Sequence, residues 1–219
     1  MRRLFLKLTL LATVLAWSFA PGAVKAADQS VQFRTPSPAL TQSMVKFQGD
    51  MRRLWQDHVY WTSTYIVSAL AGLPDQQTVL DRLLRNQDDI GNAIKPYYGE
   101  AAGNKLAQLL REHIVLAGKV VDAAKAGNQA DLERFNKEWY RNANDIAIFL
   151  SKANPNWSYQ VIKDMMDRHL QFVTAAATTR LKKDWPGYVE AVDNGESHMI
   201  HFADILSSGI IKQFPGKFR

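Results

Sequence analysis

The chain holds five histidines, at positions 58, 113, 169, 198 and 201, and their spacing to acidic residues repeats. Asp89 precedes His113 by 24 positions, and Asp145 precedes His169 by the same 24. His58 precedes Asp89 by 31, while His113 precedes Asp145 and His169 precedes His201 by 32. Neutral imidazoles and carboxylates brought to one level of a helical bundle are a donor set for a divalent transition metal such as Zn, Cu, Ni or Fe. On this reading the candidate ligands are His58, Asp89, His113, Asp145, His169, His198 and His201. Asn86, Asn142 and Asp204 stand behind them and hold the rings in one tautomer. Two alternatives use the same residues. One is a buried hydrogen-bond network, in which each His bonds to a polar residue of the next helix. The other is acid–base or ligand-binding chemistry without metal.

Several chemistries are excluded. No Glu-x-x-His is present, so the ferritin-like di-iron pattern is missing. There is no G-x-S-x-G, no His-Glu-x-x-His, no phosphate-binding glycine loop and no dinucleotide fingerprint. The absence of cysteine removes disulfides, thiolate metal sites and cysteine nucleophiles. No catalytic residue is recognisable, and enzymatic activity is left open.

The elements that position these residues are helices. Apolar residues recur at three- and four-residue intervals from about residue 41 to 211, and no stretch alternates like a strand for long. Breaks carrying Pro, Gly or Asn fall at AGLPD, KPYYGE, AGNQ, ANPNW and DWPG. They predict six helices, at about 41–71, 76–95, 100–126, 130–152, 158–183 and 187–212. RNQDDI at 85–90 resembles RNANDI at 141–146, and LLREHI at 109–114 resembles MMDRHL at 165–170. A duplicated unit of about 56 residues follows, giving three hairpins over about 54–109, 110–165 and 166–215. In an antiparallel hairpin, residues equally far from the turn share a level. The midpoints of His58/Asp89, His113/Asp145 and His169/His201 fall between Leu73 and Pro74, at Gln129 and at Trp185, all at turns. The expected fold is an all-α up-and-down bundle. Each of His58, His113 and His169 lies on an apolar stripe, whereas the Asn/Asp pairs lie beside one. The aromatics Trp55, Tyr60, Trp61, Tyr65, Trp139, Tyr140 and Trp157 are expected in the core.

The first 26 residues read as a cleavable export signal. Arg2 and Arg3 precede an apolar run from Leu8 to Ala20, a Pro21-Gly22 break and the small-residue pattern Val24/Ala26. An uncleaved anchor is the alternative, but the run is short of the roughly 20 apolar residues of a span. Cleavage after Ala26 removes Arg2, Arg3, Lys7 and Lys25 and no acid. The formal charge of +6 then falls to +2. Nucleic acid is therefore not an expected partner, and no stable membrane span is expected after cleavage. A polar lead at 27–40 and a single bundle domain at 41–219 complete the organisation. A periplasmic or secreted location is expected, with any protein or small-molecule partner unknown.

The segments LWQDHVYWT, RNQDDIGNAIKPYYGEAAG, LLREHI, RNANDIAIFLSKANPNW and GIIKQFPGKF resemble a family of small, often exported, bacterial all-helical proteins that is uncharacterised. The similarity runs over about Leu54 to Phe218. It implies an all-α fold and no established activity. The name glycosyltransferase, sometimes carried by such proteins, has no support here: there is no β/α alternation, no nucleotide-sugar loop and no Asp-x-Asp motif.

Overall fold

The computed structural model describes residues 40–219, and every regular element among them is helical. Helix α1 spans Gln42–Ala71, α2 Gln76–Ala126, α3 Gln129–Ala153, α4 Tyr159–Leu181 and α5 Trp185–Gln213, followed by a 3-10 turn at Pro215–Phe218. The export signal expected at 1–26 and nearly all of the lead at 27–40 lie outside the described residues. Among the described residues no helix is long and apolar enough to cross a membrane.

Side chains start the helices where the sequence places polar residues before apolar periodicity. Thr41 accepts the Met44 N–H at 3.2 Å, Asn128 accepts that of Asp131 at 3.2 Å, and Asp184 accepts that of Gly187 at 3.0 Å. Each such cap satisfies one of the free first-turn N–H groups, worth about 1 kcal/mol. Pro186 sits in the first turn of α5, where its missing N–H costs nothing. Thr41 also donates to the Phe218 carbonyl at 2.6 Å, tying the start of α1 to the last turn.

Among the described residues there are five α-helices where the spacing predicts six. The second and third expected helices are both arms of α2, joined at Gly99, whose φ of 82° and ψ of 170° are not helical. Pro96 supplies no N–H and Gly99 takes a backbone conformation closed to other residues, so the chain reverses without a loop. The arms fold back on each other. Arg111 reaches the Leu84 carbonyl at 3.3 Å and the Asp88 carboxylate at 2.9 Å, a contact that a straight helix forbids. The close approach depends on missing side chains: a Cβ on Gly91 would lie 2.6 Å from the Gly103 carbonyl oxygen.

Helix packing forms a closed circuit. Helix α1 packs on α2, α4 and α5, and α3 packs on α2 and α4, while α4 and α5 pack on each other. Trp55, Trp139, Trp157, Phe202, Phe218 and Ile146 anchor the largest core cluster. Fully burying side chains of this size contributes roughly 1.5–3 kcal/mol each. Of the aromatics expected inside, Tyr60 is the exception at 59% exposed. The indole of Trp157 lies against Gly209 and donates to the Ile205 carbonyl at 3.3 Å, fixing the α3–α4 turn against α5.

Candidate functional site

Three histidines meet in the middle of the bundle. His58 on α1, His113 on the second arm of α2 and His169 on α4 are each at most 5% exposed. The His169 ring is central, with its centroid 5.4 Å from that of His58 and 6.0 Å from that of His113. All three lie on the apolar stripes that put them inside. A neutral His is the cheaper form in such surroundings. Burial pushes His58 down to about 3, with His113 adding to the shift and the Gln87 hydrogen bond opposing it. Burial takes His113 to about 4 against the raising effect of Asn142. His169 falls well below the usual imidazole range, first from burial and then from the fields of His58, His113 and His198.

Polar side chains from the neighbouring helices repeat one contact. Asn86 Nδ2 donates to the Leu54 carbonyl at 3.0 Å, Asn142 Nδ2 to that of Leu109 at 3.1 Å, and His198 Nε2 to that of Met165 at 2.8 Å. Each accepting residue stands four positions before a core histidine: Leu54 before His58, Leu109 before His113, Met165 before His169. In the helix that carbonyl already bonds the histidine's own N–H, so the incoming donor uses its second lone pair.

His113 is held on both sides. Asn142 uses its amide nitrogen on Leu109, so its Oδ1 accepts the His113 Nδ1–H at 2.8 Å. On the far side Trp139 donates its indole N–H to His113 Nε2 at 3.0 Å. An indole nitrogen can only donate, so the tautomer is fixed and the single imidazole lone pair is occupied. His58 accepts at Nδ1 from Gln87 Nε2 at 3.3 Å, and the same Gln87 nitrogen donates to the Leu83 carbonyl at 2.8 Å. The His169 ring makes no hydrogen bond among the described residues; charge and burial alone act on it.

The remaining candidates stand outside this cluster. Asp89, Asp145 and His201 are exposed. Asp204 is half-buried and paired with Arg52 through two contacts of 2.6 and 2.9 Å, which raises the Arg52 guanidinium further. His198 is half-buried beside Phe172, with its Nε2 proton committed to Met165. Its charged form is disfavoured, first by burial. The helical period explains the carboxylates. At about 100° per residue, Leu83, Asn86, Gln87, Ile90 and Ile94 define the core side of α2. Asp89 is turned roughly 120° away from the centre of that arc. The structure therefore joins His58, His113, His169, Asn86 and Asn142, with His198 at the edge, leaves Asp89, Asp145 and His201 on the surface, and commits the half-buried Asp204 to Arg52. No group of three or more His, Asp or Glu placed to hold a metal occurs among the described residues.

Gln87 and Trp139 belong to the layer and are not among the expected site residues. The signal for Trp139 is its place three residues before Asn142, on the same helix face. Gln87 adjoins Asn86 but is buried where Asp88 and Asp89 are not, and the sequence pattern alone does not separate them. The chain matches no protein-family model, no curated protein and no solved structure.

Proposed function

We propose that this chain is a helical-bundle scaffold or binding protein of the cell envelope, in which the His/Asn layer is a structural hydrogen-bond network. The single observation that carries this is the His113 ring, with both nitrogens engaged by Asn142 and Trp139. A ring in that state has no lone pair for a metal. The threefold contact of Asn86, Asn142 and His198 on equivalent carbonyls supports three hairpins descended from one duplicated unit, with the α2 turn at Gly99 joining two of them. A network of this kind favours one register of the six arms, because a slip by one residue orphans every buried donor at once. Placement in the envelope rests on the export signal read at 1–26.

A transition-metal centre is the second possibility, and one observation favours it: the His169 ring is unpaired and 5.4 Å from His58. Two imidazoles on one tetrahedral ion, at bonds of roughly 2.0–2.1 Å, place their centroids about 5 Å apart. Such a centre would use His58 and His169 alone, without carboxylates, and would have to displace Gln87 from the His58 lone pair. Elemental analysis after reconstitution with Zn, Cu, Ni and Fe separates the two. The structural network predicts no stoichiometric metal and a loss of stability in His113→Ala. Stoichiometric metal that disappears in His58→Ala and His169→Ala would overturn it.

A further inference from the structure

Three helix ends gather at one end of the bundle and close in the same way. Gly72, Gly127 and Lys183 stand 55 and 56 positions apart, and all three have left-handed backbones, with φ of 66°, 67° and 60°. At each, the residue's own N–H reaches the carbonyl three positions back, and the next N–H reaches the one five back. The third instance is Lys183 on Arg180 at 3.1 Å and Asp184 on Thr179 at 2.9 Å. Lys125 donates to the Ala69 carbonyl at 2.6 Å, and Leu70, Ala71, Leu181 and Trp185 border one surface hollow. The ends of α1, α4 and the second arm of α2 are therefore neighbours.

The third turn departs from the other two at a cost in stability. Glycine takes a positive φ without penalty, whereas lysine is strained there. No pairing offsets the strain, since neither Lys182 nor Lys183 enters an ion pair among the described residues. Around it stand Leu181, Trp185 and Val189, which are 40%, 51% and 55% exposed. Trp185 and Val189 are one helical turn apart and border a second hollow, so with Leu181 they form one apolar stripe. The Arg180 guanidinium lies 4.9 Å from the Trp185 ring centre and 5.2 Å from that of Tyr188, which steadies the indole at the surface. Within three residues of the three left-handed positions stand Lys125, Arg180, Lys182 and Lys183 against Asp75 and Asp184, a net of two positive charges. Asp184 is occupied in capping α5. Glu190 and Asp193 lie about 8–12 Å further along α5 than Trp185, away from the tip.

We propose that this end of the bundle docks on an anionic lipid surface, with Leu181 and Trp185 at the headgroup boundary, Val189 at its rim, and Arg180, Lys182 and Lys183 on the lipid phosphates. Tryptophan suits that depth because its ring is apolar and its N–H polar. Lysine stems lie along apolar surface while their ammonium groups stay at the headgroups. The stripe alone gives marginal binding, and the basic residues supply the second signal that peripheral attachment requires. A stripe of three residues is far smaller than the roughly 800 Å² that each partner contributes to a specific protein interface, whereas a lipid surface needs no matching shape. The tip stands apart from the histidine layer and does not depend on what that layer does. It rests on the proposed envelope placement only for its access to lipid.

The test sediments the exported chain, beginning at Ala27, with vesicles of phosphatidylcholine alone and of phosphatidylcholine and phosphatidylglycerol in equal parts. Vesicle binding reads the tip in vitro, and the cellular location of the protein is a separate measurement. Affinity for the anionic vesicles is expected to be about tenfold higher than for the neutral ones, and to fall as salt is raised. Lys183→Gly gives the third turn the residue that the other two carry. It should raise the melting temperature and yet weaken binding to anionic vesicles about fivefold, a combination that damage to the fold does not produce. Lipids brominated in their acyl chains are expected to quench the fluorescence of the parent chain on binding, and this quenching should vanish in Trp185→Phe. Equal affinity for the two vesicles, unchanged affinity in Lys183→Gly, or quenching that persists in Trp185→Phe would each overturn the assignment. So would the absence of binding to either vesicle, which is the result that a protein partner at this tip predicts.

Discussion

The Asn142 amide bridges two levels of the second arm of α2: its Oδ1 lies 2.8 Å from His113 Nδ1 and its Nδ2 lies 3.1 Å from the carbonyl of Leu109. One side chain thus fixes a tautomer and a helix register together. It fixes the tautomer because the nitrogen is committed to a carbonyl, leaving only the oxygen to face the ring. It fixes the register because the ring and the carbonyl are one helical turn apart, and no neighbouring position of α3 reaches both.

Replacing this amide separates those two roles. Asn142→Ala leaves a buried imidazole N–H and one carbonyl lone pair without partners, and is expected to lower stability by about 1–3 kcal/mol. Asn142→Asp keeps an acceptor for the ring but offers nothing to Leu109, and its charge raises the His113 pKa from about 4. Urea unfolding measures the first, and histidine NMR titration the second. Equal stability of Asn142→Ala and the parent chain would remove the network from any structural role.

The neutral layer makes the fold acid-sensitive. In the unfolded chain these histidines titrate near 6.5, whereas in the bundle His58 and His113 stay neutral to about 3 and about 4. Below 6.5 the unfolded state therefore binds more protons, so stability is full above that value and falls as the pH drops towards 4. At pH 5 each of the two rings accounts for about 2 kcal/mol of loss, and His169 acts in the same direction. Urea midpoints at pH 7.5, 6 and 5 check this. His198 adds a fourth contribution of the same sign, so His58→Leu, which removes one titrating ring, should flatten the slope by about a quarter to a third.

The all-α class and the burial of His58, His113 and His169 were legible in the sequence because apolar spacing at 3.6 residues per turn encodes both. The equal intervals also placed the three rings at one level. What periodicity could not decide was the edge of each stripe. Asn86 and Asp89 are three residues apart, and only packing settles that the amide faces in and the carboxylate faces out. The carboxylates Asp89 and Asp145 of the expected metal set lie on that ambiguous edge. Trp139 is legible as core from its apolar face, but nothing in the spacing marks its N–H as the partner of the His113 lone pair. The break at KPYYGE was visible, and the chain reverses there at Gly99 so tightly that no loop separates the two arms of α2.

The exposed carboxylates should then be silent. Asp89→Asn, Asp145→Asn and His201→Ala remove candidate ligands that stand in solvent. Surface changes of this kind stay within about 0.5 kcal/mol. Thermal unfolding of the triple variant at neutral pH, with and without added Zn, is expected to overlay that of the parent chain. A zinc-dependent stabilisation lost in the variant would return these residues to a metal site.

The tight reversal of α2 gives the last expectation. A methyl at Gly91 would lie 2.6 Å from the Gly103 carbonyl oxygen and 2.7 Å from the Ala107 Cβ, so the two arms must separate to admit it. Backbone cannot rotate away as a flexible side chain can, and overpacking of this sort costs about 1–3 kcal/mol. The greater helix propensity of alanine, worth up to about 1 kcal/mol, opposes the clash without matching its upper range. Gly49→Ala is the internal control, because nothing lies within 4 Å of its added Cβ and only the propensity gain remains. Gly91→Ala is therefore expected to lower the melting temperature while Gly49→Ala raises it, both followed by circular dichroism at 222 nm. If both substitutions raise it, the arms of α2 do not meet at Gly91 and Gly103, and the hairpin that brings His113 to the layer must close elsewhere.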